Sequence, residues 1–64
     1  MTAIMSARVE RFRHMAEEIR TAAASMIYRE SRRALTDIAD NYELLADHLE
    51  QVVARARERD AARR

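Results

Sequence analysis

Two apolar stripes at helical spacing run through this chain, and they do not share a register. The first steps through Met5, Val9, Phe12, Ala16, Ile19, Ala23 and Met26, alternating four- and three-residue intervals without a break. The second steps through Leu35, Ile38, Tyr42, Leu45, Leu49, Val52 and Ala56 in the same way. Such spacing keeps one side of an α-helix apolar, as in the seam of a coiled coil. Carrying the first stripe past Met26 would place Glu30, Arg33, Asp37 and Asp40 in a core, and all four are charged. The nine residues from Met26 to Leu35 turn the apolar side by roughly half a revolution at ~100° per residue. A straight helix would therefore carry its two stripes on opposite sides. Reversing the chain lets them face each other.

The expected fold is all-α: an antiparallel two-helix hairpin in one domain spanning residues 1–64. Helix 1 is expected over about 2–26, the turn over about 27–29 and helix 2 over about 30–57, followed by an Arg-rich tail at 58–64. Both stretches are rich in Ala, Arg, Glu, Leu and Met, which favour helix intrinsically. A single long helix is the alternative, because the chain has no Gly and no Pro to interrupt it. Folding at the turn pairs Phe12 with Leu45, Ile19 with Ile38, Met5 with Val52 and Val9 with Leu49. It also sets Ala16 against Tyr42 and Ala23 against Leu35, so that small opposes large.

One hairpin of this length buries too little to offset the entropy of ordering it. A further apolar flank, Ala39, Ala46 and Val53 beside the second stripe, with Met15 and Ala22 beside the first, widens the sticky side. Hairpins of that kind pair into four-helix bundles. The expectation is a homodimer, with Met5, Val9, Phe12, Met15, Ile19, Met26, Leu35, Ile38, Ala39, Tyr42, Leu45, Ala46, Leu49, Val52 and Val53 as its self-association residues. Leu44 and Ile4 are apolar but lie off both stripes, so an unidentified protein partner is a further possibility.

The chemistry available is narrow. With 64 residues and no Cys, disulfides, thiolate metal sites and cysteine nucleophiles are excluded, and no glycine loop exists to cradle a phosphate. Of the two histidines, His14 has Glu10 and Glu18 one turn away on either side and reads as a solvated imidazole among surface charges. His48 flanks the second stripe, where its protonation near neutral pH would act on a dimer edge. The carboxylate pairs read as helix-surface charge, with Arg13 expected to pair with Glu17 one turn on. No catalytic residue, cofactor or metal is expected, and the chain does not read as an enzyme. No apolar run approaches the ~20 residues of a membrane span, and the N-terminus lacks a signal-peptide layout. A cytoplasmic protein is expected.

All twelve basic residues are Arg, set against eleven acids. The formal net charge of +1 is too small to make nucleic acid the default partner, but the arginines cluster. Arg29, Arg32 and Arg33 gather near the turn, while Arg55, Arg57, Arg59, Arg63 and Arg64 gather at the end. The preferred reading is a protein–protein interaction or regulatory module. The alternative is a dimeric nucleic-acid binder that grips phosphates with Arg29, Arg32, Arg33, Arg55, Arg57 and Arg59, with strong salt dependence.

Three stretches, Ala16-Glu17-Glu18-Ile19-Arg20, Glu30-Ser31-Arg32-Arg33-Ala34-Leu35 and Ile38-Ala39-Asp40-Asn41-Tyr42-Glu43-Leu44-Leu45-Ala46, resemble a group of small uncharacterised proteobacterial proteins built as helical hairpins. The resemblance covers half the chain and implies a bacterial hairpin with no activity to carry over. It departs at the turn, where Tyr28-Arg29 stands in place of the group's frequent Asp-Pro. Met15-Ala16-Glu17-Glu18-Ile19-Arg20-Thr21 is also similar to the phosphoacceptor box of histidine kinase dimerisation helices, which are hairpins that pair into four-helix bundles. Glu17 stands at the phosphorylated position and Ala22 at the usual proline, so that likeness implies no autophosphorylation.

Overall fold

The computed structural model describes the backbone of residues 2–63 and the side chains of residues 3–63, so Met1 and Arg64 lie outside the description. Helix α1 runs Thr2–Ala24 and helix α2 runs Arg29–Ala62, with no strand among the described residues. The two lie against each other as a hairpin, giving a rod with Cα extents of 55 × 14 × 11 Å.

The reversal falls at residues 25–28, slightly earlier than the stripes alone place it. The end of α1 tightens, with Ser25 N–H donating to the Ala22 carbonyl at 3.2 Å and Met26 N–H to the Ala23 carbonyl at 3.1 Å. These three-residue bonds, with the Ser25 hydroxyl donating to the same Ala22 carbonyl at 2.8 Å, satisfy acceptors that a helix end leaves open. Tyr28 then takes an extended conformation, φ −85° and ψ 130°, and α2 starts from it without a side-chain cap. No described residue has positive φ, so the turn is made without a left-handed position and needs no glycine.

α2 does not stop at 57. It continues through the Arg-rich stretch to Ala62, so the expected tail is helical over its described residues. At ~1.5 Å per residue the 34-residue α2 outreaches the 23-residue α1 by ~16 Å.

The expected layering needs a correction. The fully buried residues are Val9, Ala16 and Ala23 on α1 and Ala39, Ala46 and Val53 on α2, each set repeating every seven residues. On α2 the contact with α1 thus runs along the stripe expected only as a flank. Ile38 and Leu45, expected to meet Ile19 and Phe12, remain 44% and 49% exposed. Relative to that expectation α2 is turned by about one residue, close to a quarter revolution. Alanine explains the choice: Ala16, Ala39 and Ala46 are 0% exposed, and small side chains let two helices approach closely along their length. Tyr42 stacks on Phe12 with ring centroids 5.9 Å apart and a 31° tilt.

Candidate interaction face

Turning α2 this way sorts the hairpin into two unlike sides. On one edge Arg13 and Arg20, seven residues apart on α1, each reach across to a pair of acids on α2. Arg20 donates to Glu43 at 2.6 Å and to Asp40 at 2.9 Å. Arg13 donates to Asp47 at 3.2 Å and also to Glu50. Each guanidinium fork spans an Asp and the Glu three residues later, and the motif repeats once along the rod. Arg13 thus spends itself across the hairpin rather than on the expected Glu17. Towards the open end the next repeat lapses: Ser6 stands seven residues before Arg13, and Ala54 and Arg57 stand seven after Asp47 and Glu50. There Ser6, Val9, Val53 and Arg57 line an open groove of about 270 Å³.

The hydrogen bonds move the charges as expected of close ion pairs. Arg20 is held further above the ordinary guanidinium range by Glu43 and then Asp40, and Arg13 likewise by Glu50 and then Asp47. The Glu43 carboxyl is pushed below the ordinary carboxylate range, chiefly by the hydrogen bond from Arg20. A carboxylate with a depressed folded-state pKa contributes stability that is present above its ordinary pKa and lost as pH falls through the lowered one. Glu43→Gln should therefore melt lower than the wild type at about pH 7, with the gap closing by about pH 3. Thermal melts across that range check this; a gap that stays constant would show that Arg20 and Glu43 contribute nothing through charge.

The opposite side is apolar across both helices. From α1 it presents Met5, Phe12, Met15 and Ile19, with Met26 from the turn; from α2 it presents Leu35, Ile38, Tyr42, Leu45, Leu49, Val52 and Ala56. These are half-buried or exposed, and no large side chain among the described residues is fully buried. Every sizeable apolar group from the two stripes except Val9 therefore sits with part of its surface in solvent. On α2 its rows run from Leu35 to Ala56, ~32 Å of the 55 Å rod at ~1.5 Å per residue.

No family model, curated protein or solved structure matches this chain.

The face and the edge must then speak for themselves. Leu44, 65% exposed, sits on the side of α2 away from α1, and Ile4 is 63% exposed near the start of α1. His14 Nε2 lies 2.9 Å from a Glu18 oxygen, both exposed, and no group of three metal-ligating side chains gathers among the described residues. His48, four residues before Val52, stands exposed at the rim of the apolar face. The arginines expected as a nucleic-acid surface are divided between the ends of the rod. Arg29, Arg32 and Arg33 line one shallow hollow with Thr36 at the turn end, while Arg55, Arg57 and Arg59 lie towards the open end. No described helix is long and apolar enough to cross a membrane. What the sequence reading missed is the cross-hairpin clamp. Its signal was present, since Arg13/Arg20, Asp40/Asp47 and Glu43/Glu50 all repeat at seven residues.

Proposed function

We propose that this chain is a small non-enzymatic helical module that self-associates, two copies closing their apolar faces together into a four-helix bundle that serves as a protein–protein interaction or regulatory element. The observation that carries this reading is the contrast between a hairpin interior made, among the described residues, of Ala and Val alone and a single face holding Phe12, Ile19, Tyr42, Leu45 and Leu49. A chain this short cannot fold stably on alanine contacts, because small apolar groups contribute little on burial. Covering the face supplies the missing burial, and the natural cover is a surface of equal length and equal composition. A second copy provides it in a closed, self-complementary contact.

Sedimentation equilibrium tests this, with helical circular dichroism followed over dilution. The expected result is a mass twice that of the chain and a helix signal that falls as the dimer dissociates, because folding and association are one transition. A folded monomer that keeps its helicity on dilution would overturn the proposal. The nucleic-acid alternative rests on Arg29, Arg32 and Arg33 sharing one exposed hollow at the turn. It requires a gel shift that weakens steeply between about 50 and 200 mM salt and is lost in the Arg32→Ala/Arg33→Ala variant.

A further inference from the structure

The rows of the apolar face end differently at the two ends of the rod. On α1, the row through Met15 begins at Arg8, seven residues earlier, and ends at Ala22. On α2, the row through Ile38, Leu45 and Val52 begins at Ser31 and ends at Arg59, while the row through Leu35, Tyr42, Leu49 and Ala56 begins at Tyr28 and ends at Arg63. At the turn end the same three rows therefore finish uncharged, in Ala22, Tyr28 and Ser31. At the open end they finish in three arginines. None of these three arginines forms an ion pair among the described residues. The turn end is also uncovered, with Ile27 89% and Tyr28 76% exposed.

Resting on the self-association proposed above, we infer that the second copy docks antiparallel, its turn lying over the open end of the first, so that the C-terminal end of α2 in each copy covers the turn of the other. Docked with both turns at the same end, the two copies would crowd Arg8, Arg59 and Arg63 together with their duplicates, six like charges around one apolar mouth. The antiparallel arrangement separates the two trios and sets each over the partner's aromatic and hydroxyl groups. The lengths agree. The apolar rows of α2 are centred near Leu45, so a two-fold axis there lies ~21 Å from Arg59 and the same distance from Ser31, and ~27 Å from Arg63 against ~26 Å from Tyr28, at ~1.5 Å per residue. Each Arg59 thus comes level with the Ser31, and each Arg63 with the Tyr28, of the other copy. A guanidinium over that exposed ring gains a cation–π contact and shields its apolar body from water. Glu30, in the first turn of α2 and free of any ion pair among the described residues, adds an opposite charge at the same level.

The chain has no cysteine, so a single Ser25→Cys variant can carry one spin label per copy at the turn. Pulsed dipolar spectroscopy on the dimer should give a label separation of about 50 Å, set by two runs of about 16 residues of α2 from the axis to the turn. A separation under about 25 Å would mean that the turns share one end, and would overturn the antiparallel arrangement while leaving self-association standing. A sample of chain mass with no dipolar signal would instead overturn self-association itself. The Ser31→Glu variant supplies an independent reading. It should tighten the dimer severalfold by facing the partner's Arg59, with the gain lost in Ser31→Glu/Arg59→Ala. Weakened association in Ser31→Glu would place the two introduced carboxylates beside each other and reject the arrangement.

Discussion

Leu45→Glu is expected to abolish the dimer at micromolar concentration and take most of the helical circular dichroism with it, while Leu44→Glu, one residue away, leaves both unchanged. The two leucines are adjacent in sequence and similarly exposed in one copy, 49% and 65%. They differ in where they stand. Leu45 belongs to the row of Ile38 and Val52 on the apolar face, whereas Leu44 lies on the far side of α2. If the hairpin were complete by itself, both would be surface substitutions, worth no more than about 0.5 kcal/mol. If the face is covered by its like, Leu45 is desolvated in both copies. Losing a buried leucine then costs about 1.5–3 kcal/mol per copy. A carboxylate forced into the contact adds its desolvation, so the damage is counted twice in each dimer. The total is a large share of the stability available to an assembly this small. Sedimentation and circular dichroism on the two variants decide the matter: equal behaviour of Leu45→Glu and Leu44→Glu would remove the apolar face from the account.

The same pair of residues shows what the sequence discloses and what it withholds. Reversal of the chain was legible because it follows from phase alone: stripes ending at Met26 and resuming at Leu35 cannot share one side of a helix. The place of the turn was legible to within a few residues, since Ser25–Tyr28 carries neither stripe forward beyond Met26. The face that α2 turns towards α1 was not. Ile38, Leu45 and Val52 differ from Ala39, Ala46 and Val53 by a shift of one, and both sets repeat every seven residues. Hydrophobicity favours the larger set for burial, but the close approach of two backbones favours the smaller. Periodicity carries no record of which surface a helix meets within its own chain and which it keeps for another. The charges do carry one. Asp40, Glu43, Asp47 and Glu50 flank the alanine stripe on one side only, and they can meet Arg13 and Arg20 only if that stripe faces α1. Pairing Arg13 with Glu17 along the helix missed this, because an i,i+4 rule considers one helix at a time. The candidate face followed from the same correction: once the alanines turn inward, the larger residues have one side left.

Ala46→Leu should destabilise the protein even though leucine is the more apolar residue. In an exposed or loosely packed helix the exchange would be nearly neutral, since Ala and Leu are both strong helix formers. Here Ala46 is 0% exposed and lies between Ala39 and Val53 on the stripe that meets α1. Three added carbons have no vacancy to enter, so they must push the helices apart or force strained rotamers, at a cost of about 1–3 kcal/mol. Separating the helices also stretches the span from Arg13 and Arg20 to their acids, so the ionic edge weakens with the core. The disturbance then reaches the other side, because widening the hairpin shifts the Phe12 row relative to the Tyr42 row and spoils the flatness of the face that a second copy must match. Ala54→Leu is the control: Ala54 is exposed beside the groove at the open end and should accept leucine without loss. Urea unfolding at one fixed protein concentration measures both variants. A midpoint for Ala46→Leu at or above that of the wild type would show that α2 keeps its larger stripe, not its alanines, against α1.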